Sequence, residues 1–121
     1  MNAPSVSELV LADAHGVWAI CSSSPTAYYV DADSSLLLRQ PGPGSSPGPG
    51  DGRWVPLVQV VALFGRDEGV IRVGDRHKYT YDWDPAGADY GWWLQRLVTS
   101  IDYVEAEELA GLPAFPQDGR L

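Results

Sequence analysis

A single cysteine, Cys21, excludes an internal disulfide, and with it the secreted scaffolds that rely on crosslinks in place of a core. Long hydrophobic runs are missing as well: no stretch approaches the roughly 20 apolar residues of a membrane-spanning helix. The N-terminal residues 1–8 have no cationic segment followed by a long apolar run. Together these absences point to a soluble, cytoplasmic chain without a membrane partner. Positive charge is scarce. Eight Lys and Arg face sixteen Asp and Glu, for a net charge of -8 and a pI near 4.4, which opposes binding to a phosphate backbone. The cations Arg39, Arg53, Arg66, Arg72, Arg76, Lys78, Arg96 and Arg120 are scattered, and only Arg72, Arg76 and Lys78 lie close together. Nucleic acid is therefore not an expected partner. Lys78 is the only lysine and Asn2 the only asparagine, whereas Ala, Gly and Pro abound, as codon usage in a high-GC genome produces.

What is present suits one β-rich domain. At 121 residues and 13.1 kDa, folding should bury roughly two-thirds of the surface that the unfolded chain exposes. Hydrophobic residues make up 45%, and five Trp and six Tyr supply large side chains to fill a single core.

Residues 70–83, Val-Ile-Arg-Val-Gly-Asp-Arg-His-Lys-Tyr-Thr-Tyr-Asp-Trp, read as a β-hairpin about a two-residue Gly74-Asp75 turn. Val73 would face Arg76, Arg72 would face His77 and Val70 would face Tyr79. Val70, Arg72, His77, Tyr79, Tyr81 and Trp83 would then share one side of a ribbon, with Tyr79, Tyr81 and Trp83 filling the core. Upstream, residues 5–12, 17–22, 27–32 and 35–40 read as strands joined by turns at 13–16, 23–26 and 33–34. Residues 54–64, dense in valine, read as a central strand covered on both faces. Residues 92–104 read as one bent strand or two short ones, since the apolar parity changes between Leu94 and Leu97 as a bulge requires. A helical turn or two is expected at 105–110, ended by Gly111, with Leu109 and Leu112 packing back.

Residues 41–52 alternate proline with glycine and form an exposed loop. The stretch lacks the Gly-Lys-Ser/Thr ending of a phosphate cradle, and its prolines remove the backbone donors that a cradle needs. A second loop is expected at 84–91 and a tail at 113–121. The sum is a mainly β fold, a small antiparallel barrel or sandwich of seven to nine short strands with a short C-terminal helical turn.

Reaction-specific signatures are lacking. His15, His77 and Cys21 have no metal-ligand spacing, and Asp82-Trp83-Asp84 leads into Pro85, where an aspartate more commonly forms a turn. No nucleophile elbow surrounds Cys21, Ser22, Ser23 or Ser24. The expectation is a protein that is not an enzyme and carries no metal or cofactor.

The aromatic residues carry the functional reading. Trp92 and Trp93 are adjacent, and adjacent strand residues point to opposite faces, so one of them should be outside. An exposed Trp beside Tyr90, with Arg76 and Arg96 near, has the composition of a protein-binding hot spot. Trp83, Tyr90, Trp92, Trp93, Arg76 and Arg96 form the expected binding site.

The order of a Ser-rich hairpin, Tyr-Tyr-Val-Asp-Ala at 28–32, Leu-Leu-Leu-Arg at 36–39, a Pro/Gly insert, Trp-Val-Pro-Leu at 54–57 and Leu-Val-Thr-Ser-Ile-Asp at 97–102 resembles small uncharacterised β-rich proteins of actinobacteria and their phages. The resemblance covers about three-quarters of the chain. It implies a compact β domain in a phage or mobile-element setting, and it carries no activity across. The function expected is that of a non-enzymatic protein-interaction module, a modulator of a host protein. The alternatives are a virion- or tail-associated structural barrel and a ligand or glycan binder using Tyr79, Tyr81 and Trp83.

Overall fold

The computed structural model describes residues 4–46, 48, 50–84, 86–87 and 89–116. Positions 47 and 49 of the first loop, 85 and 88 of the second, and 117–121 of the tail lie outside the described residues.

The fold is mainly β. Among the described residues ten strands, β1 (Ser5–Val6), β2 (Glu8–Val10), β3 (Val17–Ser22), β4 (Ala27–Asp31), β5 (Leu36–Gln40), β6 (Val55–Ala62), β7 (Val70–Arg72), β8 (His77–Tyr81), β9 (Gly91–Leu94) and β10 (Val98–Tyr103), precede one helical turn, α1 (Ala106–Leu109). Eight strands form an antiparallel sheet in the order β1-β10-β3-β4-β5-β6-β8-β9, and β2 pairs with β7 in a separate two-stranded sheet. The large sheet ends at β1 and β9 and does not close on itself, so the sandwich alternative holds and the barrel does not.

Alternation along the strands builds two apolar layers. Ile20, Tyr28, Val30, Leu37, Val60, Tyr79, Tyr81 and Ile101 face inward, joined by Leu9 and Ile71 of the small sheet. On the outer face of β3 to β5, Val17, Ala19 and Leu38 meet Trp54 and Val104, with Leu109 and Leu112 packed over them. The expected packing of Leu109 and Leu112 is thus present, and Gly111 follows α1.

Four expectations are corrected. The first is the Gly74-Asp75 hairpin. β7 pairs with β2 in the register Arg72↔Glu8, while β8 pairs with β6 and β9, so the two arms of the expected ribbon belong to different sheets. The turn is a corner between sheets. Gly74, at φ 87°, donates its N–H to Val98 O, and Val98 returns one to Asp75 O. The buried Asp75 carboxylate accepts the N–H groups of Phe64, Gly65 and Arg76, which locks the corner to the 63–66 turn. Arg72 and His77 do meet, but through the Arg72 N–H and the imidazole Nε2 at 3.0 Å. Ile71, rather than Val70 and Arg72, faces the core.

The second is the coverage of residues 54–64. β6 has Pro56, Val58 and Gln59 exposed, so only its inner face is covered. The third is the bulge near Leu94. The chain leaves the large sheet at β9, passes through Gln95–Leu97 and re-enters it as β10 between β1 and β3, so the change of parity marks a crossing between distant positions of the sheet. The first expected strand also breaks at Ser7, whose carbonyl accepts Val73 N–H while β1 and β2 pair in different sheets.

Candidate functional site

The six expected site residues divide between the two faces of the sheet. In the register Thr80↔Trp92 and Tyr79↔Trp93, the two adjacent tryptophans point opposite ways, as alternation requires. Trp92 is 59% exposed, and so is Tyr90 just before the strand. Trp93 packs against the inner core, where its ring lies parallel to Tyr81 at 6.4 Å and the Arg39 guanidinium sits 3.5 Å from its centroid. Trp83 also packs on the core, and its carbonyl accepts a hydrogen bond from Arg53. Arg76 and Arg96 flank one shallow depression together with Ser23, Leu94 and Leu97. Tyr90, Trp92 and Arg96 are therefore exposed and Arg76 is half-buried, with its Nε donating to Gln95 O, whereas Trp83 and Trp93 pack inward.

Two further residues belong to this surface. Lys78 lies beside Leu94 in register and places its ammonium 5.2 Å from the Trp92 ring centroid, within cation–π range. Leu94 is 39% exposed. Alternation along β8 would have put Lys78 opposite the buried face of His77 and Tyr79, so this signal was present in the sequence. Among the described residues Arg76, Lys78 and Arg96 form no ion pair, unlike Arg39 with Asp51 and Arg72 with Glu8 and Asp67.

Beneath the surface lies a polar interior that the sequence did not announce. Gln95, 2% exposed, accepts the Tyr79 hydroxyl on Oε1 at 2.7 Å and donates Nε2 to Ile20 O at 2.9 Å, which ties the chain after β9 to the far side of the core. Arg39, also buried, donates Nε to the Tyr28 hydroxyl and Nη1 to Asp51 at 2.6 Å and to Ser46 O. Burial raises the Tyr28 and Tyr79 hydroxyls above the usual phenol range. His77, fully buried, accepts the Arg72 N–H on Nε2, which places its proton on Nδ1, an atom with no hydrogen-bond partner among the described residues. Desolvation pulls its pKa down to about 4, against the opposing pull of the Asp75 carboxylate, so the imidazole is neutral at pH 7.

A groove of about 520 Å³ opens beside β9. Trp93, Leu94, Gln95 and Arg96 line one side, Ser22–Thr26 and residues 43–46 the other, and Tyr28 and Arg39 contribute to its lining. The Pro/Gly loop reaches the edge of this region: a Cβ on Gly48 would lie 2.0 Å from the Trp93 ring, so glycine is required there. Among the described residues no group of three or more His, Cys, Asp or Glu is placed to hold a metal ion, and no helix is long and apolar enough to cross a membrane. Asp82 and Asp84 form a turn, in which the Asp82 carboxylate accepts Asp84 N–H and Asp84 O accepts Gly87 N–H.

The fold and surface define a sandwich-like all-β protein with an aromatic and cationic patch at one end of its large sheet. No family model, no curated protein and no solved structure matches the chain.

Proposed function

We propose that the chain is a non-enzymatic protein-interaction module that binds its partner through the outer face of β9 and the residue before it, with Tyr90 and Trp92 as anchors and Arg76, Lys78 and Arg96 around them. The observation that carries this reading is the placement of Trp92. A large indole on a regular strand is left 59% exposed while its neighbour Trp93 is committed to the core. Aromatic side chains that offer area at low conformational cost, rimmed by cations, are what interface centres use. A ligand reaching Tyr79 and Tyr81 has no comparable support, since both rings are buried in the core. In the setting that the resemblance implies, the partner is a host protein that a phage or mobile element modulates.

The test is affinity capture from the native host with the wild type and with a Tyr90→Ala, Trp92→Ala double variant, each checked for folding by circular dichroism. A partner recovered by the wild type should fall roughly tenfold with the variant, the scale of losing one hot-spot contact. Equal recovery would remove this surface from the function.

A further inference from the structure

Resting on that interaction reading, we infer that the partner supplies an extended, acidic segment that adds to the free edge of β9 as a further strand of the large sheet.

The backbone pattern comes first. Gln95 N–H donates to His77 O at 3.0 Å, and the register runs on through Trp93↔Tyr79 and Gly91↔Tyr81. In an antiparallel ladder, every second residue turns its N–H and C=O toward the neighbour and the others turn theirs away. Gln95, Trp93 and Gly91 therefore bond β8, and Trp92 and Leu94 turn their N–H and C=O to the other side, where no strand of the described residues pairs with them. On β8 the same alternation holds, since Leu63 N–H donates to Arg76 O on the β6 side. Trp92 and Leu94 are also the β9 residues with exposed side chains. One pair of residues thus offers both the hydrogen bonds and the side-chain contacts that strand addition uses.

Room and protection come next. The groove beside β9 has a volume of about 520 Å³, with Leu94, Gln95 and Arg96 on one wall and Ser23, Ser24 and Thr26 on the other. β9 is four residues long, so at a strand rise of about 3.3 Å its edge spans roughly 13 Å. Natural edges are normally blunted by proline, an inward charge or a bulge. Gly91–Leu94 contains no proline and no charged residue, and its register with β8 is unbroken. At the other end of the sheet, β1 is only two residues long, and the chain turns at once into the second sheet.

Charge selects the occupant. The chain carries a net charge of -8, yet Arg96 lies just after β9 and Arg76 and Lys78 stand on the β8 side of it, with the Lys78 ammonium over the Trp92 ring; among the described residues none of the three is ion-paired. An acidic segment is attracted here and repelled elsewhere, which fixes both where it docks and its sign. A second copy of this acidic chain would meet the edge with its own cations.

The probe is a fluorescein-labelled heptapeptide alternating glutamate with valine, against the same peptide with lysine in place of glutamate. Binding is read by anisotropy, and amide exchange by NMR. The glutamate peptide should bind roughly tenfold tighter than the lysine one, and it should slow exchange at the Trp92 and Leu94 amides. Leu94→Pro removes an N–H that the β8–β9 ladder does not use, and it should abolish that binding. Unchanged exchange at both amides on saturation, or full binding by Leu94→Pro, overturns strand addition. Should Leu94→Pro fail to fold, the exchange measurement on the unsubstituted protein decides. If Trp92→Ala still weakens captured-partner binding while the two edge readouts stay silent, the interaction surface stands and strand addition falls. Failure of the glutamate peptide to bind at millimolar concentration also overturns it, as does a free protein that sediments as a dimer with those amides already protected.

Discussion

The outer face of the large sheet has two halves that the chain treats differently. Over β3, β4 and β5, the outward residues include Val17, Ala19 and Leu38, small or aliphatic and buried, and the C-terminal segment lies across them. Leu109 and Leu112 pack down, Trp54 Nε1 donates to Pro113 O at 2.8 Å, and the Phe115 ring sits 5.0 Å from that of Trp54. Over β6, β8 and β9, the outward residues include Gln59, Val61, Lys78, Thr80, Trp92 and Leu94, of which Gln59, Lys78, Trp92 and Leu94 are exposed and Val61 and Thr80 half-buried. A mostly apolar face must be covered by the chain itself, whereas a face richer in polar and charged groups is compatible with water and with a partner. The inner side of the sheet shows no such difference, since His77, Tyr79 and Tyr81 are as buried as Ile20 and Val30. The asymmetry is therefore a property of the outer surface alone.

The strongest way to test the covered half is to remove its clasp. Trp54→Ala deletes a buried indole, its hydrogen bond to Pro113 and its contact with Phe115, and should destabilise the fold by about 3–5 kcal/mol in urea denaturation. Trp93→Ala, on the inner side of the bare half, should fall in the same range, because the Arg39 guanidinium loses its ring and the Tyr81 ring loses its neighbour. A cost below about 1 kcal/mol for Trp54→Ala would show that the C-terminal segment rests on the sheet without holding it.

Acid tests the inner side of the bare half at the corner joining β7 to β8. The His77 imidazole has a pKa lowered to about 4 in the fold against 6.5 for the free side chain. The unfolded chain takes up this proton first as pH falls, so the contribution of neutral His77 is fully present above about pH 6.5 and is lost between there and about pH 4. At about 1.4 kcal/mol per unit, the loss is about 3 kcal/mol. For Asp75, burial favours the neutral acid, but the N–H groups of Phe64, Gly65 and Arg76 outweigh it and hold the pKa below the usual carboxylate value. Its contribution is present above the unfolded carboxylate pKa and disappears at lower pH still. His77→Gln keeps an acceptor for the Arg72 N–H without the titration. Denaturation midpoints followed from pH 7 to pH 4 should fall for the wild type and stay nearly level for this variant. Parallel decline in both would place the acid sensitivity elsewhere.

Much of this was legible because it is local. Residues 17–22, 27–32 and 35–40 are short runs of strand-forming side chains between turn signals, and β3, β4 and β5 stand within them, β4 ending one residue earlier and β5 beginning one later. The opposite orientations of Trp92 and Trp93 follow from the strand period alone. What was not legible was pairing. Gly74-Asp75 has the local chemistry of a hairpin turn, yet whether the flanking strands pair with each other depends on competing partners, Glu8–Val10 for β7 and Val55–Ala62 for β8, which lie far away in sequence. Valine density in β6 reported strand propensity but not which face is wet, because branched side chains suit exposed and buried strand positions alike. Gln95 left no motif: its role depends on a carbonyl 75 residues earlier, and a lone glutamine after an aromatic strand looks like any solvated side chain. Arg39 was equally silent, since its burial depends on Asp51 at the end of the Pro/Gly loop.

The smallest expected effect is the most discriminating. Trp92→Ala should change stability by no more than about 1 kcal/mol. The ring is 59% exposed, and its contact with the Lys78 ammonium at 5.2 Å is worth about 0.5–1 kcal/mol at most where water screens it. Most of the ring is in water in the folded and the unfolded chain alike, so its removal changes the hydrophobic balance little. Trp93→Ala one residue along should cost several times more, so the pair compares the two faces of one strand at constant chemistry. Matched urea curves read the difference directly. If Trp92→Ala costs as much as Trp93→Ala, the indole is structural, and the bare half of the sheet is part of the fold's own packing. If Trp92→Ala is silent in stability yet lowers partner recovery, the exposed ring serves recognition.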